Sequence, residues 1–189
     1  FVAIIGAMVL GEVITYSLGL GIALVTVGSY LVLLDDKKHP LEPFTNLEID
    51  KGAQAAVLSA IIFAVAAVND RFITQQLSPE IYTFLLLTIM TVSINTYLFS
   101  KNKSHLTDFK TEIMRKPGIY ALTGLLSAGA YYTVLAALSM AEASRVVPVM
   151  QLQIPLTVVA GGALFNEDHI VQKLVGSAIL IIGIILVAI

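Results

Sequence analysis

Gln151 sits between two prolines, Pro148 and Pro155, inside a long apolar run. Each proline removes one backbone N–H and leaves helical carbonyls without a donor. In lipid, freed carbonyls are tolerated only against protein or a water-filled cavity. Gln151 adds two donors and an acceptor at the same place. At 100° per residue, Ser144, Pro148, Gln151, Pro155, Val159 and Gly162 form one stripe. Two readings follow. The stripe is a cavity wall on which Gln151 contacts a small-molecule substrate, or the helix is kinked and Gln151 bonds a neighbouring helix. Gln153 points away from the stripe and is expected to bond between helices.

Other polar groups are sparse. Tyr131 and Tyr132 lie deep in an apolar run, away from the aromatic belts at its ends. One of them lines the cavity, or both are buried with satisfied hydroxyls. In the same run, Gly124-x3-Ala128 and Gly129-x3-Thr133 offer small faces for close helix contact. Asn69, Asp70 and Arg71 close another run. Asn69 is a further cavity candidate, whereas Asp70 and Arg71 read as charges snorkelling to the interface. Glu142 and Arg145 bracket a short turn and read as interfacial too. Glu12 and Glu167 stand at helix corners, where they are expected to cap the free N–H groups of the following helix.

Several chemistries find no support. There is no Cys, so disulfides, thiolate metal sites and Cys nucleophiles are excluded in this segment. His39, His105 and His169 are far apart in polar stretches, without metal-ligand spacing. A net charge of −2 gives no argument for nucleic acid. No Asp, Glu or His lies in the middle third of an apolar run, where a proton relay is usual. No cofactor is implied.

The elements that must position these residues are membrane helices. The chain is 57% hydrophobic and 13% charged, about half the charge of a soluble domain at ~25%. Crossing ~30 Å of hydrocarbon takes about 20 apolar residues. Six runs qualify: Tyr16–Leu34, Gly52–Ile73, Pro79–Ser100, Pro117–Met140, Ser144–Phe165 and Ile170–Ile189. None alternates with period two, so barrel strands are excluded. No basic segment precedes the first apolar run, so it does not read as a cleaved signal peptide.

A shift of 155 residues brings Gly6, Glu12, Gly21, Ala23, Gly28, Leu31 and Val32 onto Gly161, Glu167, Gly176, Ala178, Gly183, Leu186 and Val187. Apolar matches arise by chance in membrane helices; three glycines and a Glu in register do not come so easily. We read an internal repeat. Phe1–Leu10 then aligns with Leu156–Phe165, the second half of a helix. The expectation is that residue 1 is an internal cut and that further N-terminal helices of the same protein complete the first repeat. The predicted organisation is residues 1–34 as the end of repeat one, 35–51 as a polar connection, and 52–189 as a five-span second repeat. An odd span count inverts the second repeat relative to the first, the arrangement of many secondary transporters.

ALSMAEASRVVPVMQLQIPLTVVAGGALFNEDHIVQKLVGSAILIIGIILV (Ala137–Val187) resembles the end of EamA-type domains of the drug/metabolite transporter superfamily. The resemblance lies in Ala143-Ser144, Pro148, Pro155, Gly161-Gly162, Glu167 and Gly176/Gly183. VNDRF and SPEIYTF resemble the opening two helices of the same domain. Asn166-Glu167 departs from the commoner Gly-Glu, and most of the first repeat is absent. The resemblance implies an all-α polytopic protein of the cell membrane, with two inverted five-helix repeats that move small metabolites. A non-transporting membrane scaffold and a membrane-embedded enzyme are the alternatives, and no nucleophile or acid/base pair at one depth favours the enzyme. Orientation is open. Nine of the eleven Lys and Arg fall on one side of the alternating spans. The positive-inside rule puts that side in the cytoplasm and the C-terminus outside; the resemblance implies cytoplasmic termini.

Overall fold

The computed structural model describes residues 1–34, 51–101, 110–111, 113–165 and 170–189. Glu167 and the three histidines lie outside the described residues. All regular structure among the described residues is helical: α1 (Val2–Leu10), α2 (Tyr16–Leu33), α3 (Lys51–Thr74), α4 (Pro79–Lys101), α5 (Pro117–Met140), α6 (Ala143–Met150), α7 (Gln153–Phe165) and α8 (Ile170–Ala188). Six segments are long and apolar enough to cross a membrane. Each buries only 11–39% of its apolar window against the rest of the chain. The remaining Leu, Ile and Phe surface is what a bilayer solvates.

One expected element is two. The run Ser144–Phe165 breaks at Gln151–Leu152, giving α6 and α7. The cause is Pro155, which has no N–H to donate to the Gln151 carbonyl four residues back. Ile154 N–H takes that carbonyl instead at 2.9 Å, and Gln151 and Leu152 N–H reach back three residues to Pro148 and Val149. Three tightened bonds replace the regular ladder. The stripe changes register across the break: Pro155, Val158 and Gly161 are buried, whereas Val159 is 60% exposed.

The described residues form two compact units. The first joins Phe1–Asn69 with Ala141–Ile189. Its centre is the pair α2 and α8, whose Val25, Leu180 and Ile184 form a buried cluster. Glycines bring the backbones together. A Cβ on Gly21 would lie 2.8 Å from the Gly183 carbonyl, and one on Gly28 would lie 2.7 Å from the Gly176 carbonyl. Positions 21 and 28 therefore meet 183 and 176 in reverse order, so the helices run antiparallel. The 155-residue shift carries the pair 21–183 onto 176–28, which exchanges the two contacts. The small faces expected at Gly124 and Gly129 of α5 play no such part: a Cβ on either meets nothing within 4 Å.

The second unit is Asp70–Met140. It holds the end of α3 with α4 and α5. Tyr82, Thr83, Leu135 and Leu138 are its buried residues on α4 and α5.

Candidate functional site

A cavity of about 470 Å³ opens in the first unit, lined by α1, α2, α3 and α6. Its walls are mostly apolar, from Val2, Val25, Phe63 and Val147 among others. Its polar edges are Thr26, Ser59, Ser144 and Gln151. The Thr26 hydroxyl is spent on the Ile22 carbonyl, at 2.8 Å. The Gln151 amide has no hydrogen-bond partner among the described residues. The Ser144 hydroxyl is fully buried and equally unpartnered among them. A buried hydroxyl without a partner is uncommon and asks for a ligand or water. Gln151 continues the face of α6 that carries Val147 and Pro148 along the cavity, with its backbone N–H on the Pro148 carbonyl.

The cavity brings together two of the residues singled out by sequence, Pro148 and Gln151. Pro155 is buried and shapes the break without lining the cavity. Gln153 lies on a separate concavity with Val32, Leu33, Thr157 and Lys173, and its amide bonds no other helix among the described residues. Asn69 is exposed and outside the lining.

Tyr131 and Tyr132 belong to the second unit, and both hydroxyls are engaged there. Tyr131 donates to Asp70 Oδ2 at 3.0 Å, and Tyr132 to Glu80 Oε1 at 3.0 Å. Tyr82, the tyrosine of SPEIYTF, donates to Asp70 Oδ1 at 2.6 Å. Arg71 donates to the Leu138 carbonyl. Asp70 and Arg71 are thus bonded to protein groups of α4 and α5 near the end of α3. Adjacent helix residues cannot face each other, so each found a different neighbour.

Glu12 caps a helix, but not the one that follows it. Its oxygens accept from Ala143 N–H at 2.8 Å and Ser144 N–H at 3.0 Å, the first two amides of α6. The following helix, α2, is capped by Thr15, whose hydroxyl oxygen accepts from Leu18 N–H. Gly11 at φ 69° makes the turn that sends Glu12 back, and only 8% of Glu12 stays exposed. The other end of the sequence pair, Glu167, lies outside the described residues. Glu142 and Arg145 pair at 3.3 Å, and Arg145 also donates to the Val187 carbonyl at the end of α8.

Six segments long and apolar enough to span lipid, with an open and mostly apolar cavity among the described residues, are the architecture of a polytopic membrane protein. Residues 50–189 match the model of the EamA-like transporter family. The match covers most of the chain, which therefore belongs to that family. No curated protein and no solved structure gives a significant match.

Proposed function

We propose that the chain moves a small metabolite across the cell membrane as part of a secondary-type transporter, not an enzyme. The substrate binds in the cavity of α1, α2, α3 and α6, beside Pro148 and Gln151. The observation that carries this reading is the mostly apolar cavity edged by the Gln151 amide and the Ser59 hydroxyl, neither of which is bonded to another described residue. Such a site binds an apolar body and orients it through a few polar contacts.

Alternating access between two inverted five-helix repeats is the mechanism the arrangement favours. In support, α2 and α8 are antiparallel and their glycine contacts exchange under the 155-residue shift. Translation alone would make matched helices parallel. The test is uptake into vesicles by the complete protein. Gln151→Ala is expected to lower transport several-fold at unchanged membrane abundance, by loss of one or two substrate hydrogen bonds. Unchanged kinetics would remove Gln151 from the substrate path.

A further inference from the structure

Glu12 contributes two bonds to a helix that lies 131 residues further along the chain. Those bonds fall on Ala143 and Ser144 at the start of the helix whose Val147, Pro148 and Gln151 line the cavity. The contact has a built seat. A Cβ on Gly6 would stand 2.5 Å from Glu12 Oε2, so the absence of a side chain at Gly6 leaves room for the carboxylate. The seat suits an anion, because the N-terminal end of a helix carries positive partial charge and free N–H groups. At its other end, α6 stops at the Gln151–Leu152 break. The cavity wall is thus an eight-residue rod, seated by Glu12 at one end and interrupted backbone at the other. The charged groups beside the seat are Glu142 and Arg145, which pair with each other.

We propose that Glu12 is a positioning residue for transport: its carboxylate sets the α6 wall that carries Ser144, Pro148 and Gln151. The inference rests on reading the cavity as the substrate site. Seated, Glu12 holds Ser144 and Gln151 at the cavity edge. Unseated, it leaves α6 to turn about the Gln151–Leu152 break, the kind of element-terminal hinge that absorbs a backbone change.

The test uses the complete protein in detergent and two readouts that need no known substrate. The first is amide hydrogen exchange at Ala143 and Ser144. The second is N-ethylmaleimide labelling of Gln151→Cys, with Val159→Cys as the control on exposed α7 surface; this chain contributes no cysteine of its own. Glu12→Ala is expected to speed exchange at both amides at least about tenfold. Glu12→Gln, which keeps one acceptor oxygen, should give a smaller increase. Gly6→Ala should act like Glu12→Ala by displacing the carboxylate with its charge intact, and it carries the test if Glu12→Ala does not fold. In each variant the Gln151→Cys labelling rate should change and the Val159→Cys rate should not.

Unchanged exchange in both Glu12→Ala and Gly6→Ala would overturn the proposal. So would equal changes at Gln151→Cys and Val159→Cys, which mean general loosening, or faster exchange with Gln151→Cys labelling unmoved. A Gln151→Cys that never reacts in the otherwise native protein would remove the cavity reading and the proposal with it. That failure is distinct, because the amide exchange would still report whether Glu12 holds α6.

Discussion

Asp70 stands four residues before the end of α3 and gives both carboxylate oxygens to tyrosine hydroxyls, from Tyr82 on α4 and Tyr131 on α5. A hydrogen bond to a charged group contributes about 1.5–3 kcal/mol in water-soluble proteins; interhelical bonds in membranes average about 0.6. The charged acceptor and the half-buried site argue for a value between, about 1 kcal/mol per hydroxyl. Tyr82→Phe and Tyr131→Phe should each lower the melting temperature. The double variant should lose more than the sum, because in each single variant the carboxylate keeps one hydroxyl and in the double variant it keeps neither. Strict additivity in thermal unfolding would mean that the two bonds are independent. These partnerships were not legible in the sequence. Asp70 and Tyr131 are 61 positions apart, and Tyr82, although it lies in SPEIYTF, carries no sign of its partner. Gln151 was legible for a physical reason: two prolines seven residues apart in an apolar run announce disturbed backbone wherever the chain goes.

Helices were the most readable elements, since length and apolar content alone decide what can span lipid. The exception, the break between α6 and α7, shows what residue spacing misses. Pro155 was seen, but its effect falls on the carbonyl of Gln151 and shifts the register of everything after it. Val158 is buried where an unbroken wheel puts Val159. Pro155→Ala would return the missing N–H and favour one continuous helix. Thermal stability should hold or rise while transport falls, because a continuous helix removes the change of register by which α6 and α7 pack on different faces. Lost stability together with retained transport would contradict that account. The α2–α8 pair is the opposite case, where glycines marked by the sequence stand at a close contact. Of the six glycines that match under the shift, the four on α2 and α8 touch, with backbone atoms inside 3 Å of any added Cβ. Gly28→Leu should therefore cost more than the ~1–3 kcal/mol of an ordinary overpacked core and prevent accumulation of folded protein in the membrane. The same change at Gly124, where nothing lies within 4 Å, should be tolerated within the chain's own packing. Equal folded yields for the two would refute the tight pairing.

At the scale of the whole molecule, membership of the EamA-like transporter family and a cavity edged by the Gln151 amide support the proposal that the protein holds a small molecule inside the bilayer. Charge placement supplies a separate expectation. Nine Lys and Arg share one side of the spans, so a single Cys in place of Lys103 should resist membrane-impermeant maleimide in intact cells, while one in place of Gln76 should react. The central claim is tested most directly by thermal unfolding of the complete purified protein against a panel of amino acids, nucleosides, sugars and amines. A ligand that binds only the folded state stabilises it by about 2.7 kcal/mol at a hundredfold excess over Kd. The account predicts a dose-dependent rise in Tm with at least one class of compound, and a smaller rise in Gln151→Ala. A panel without any such rise, or a rise that Gln151→Ala leaves intact, would contradict it.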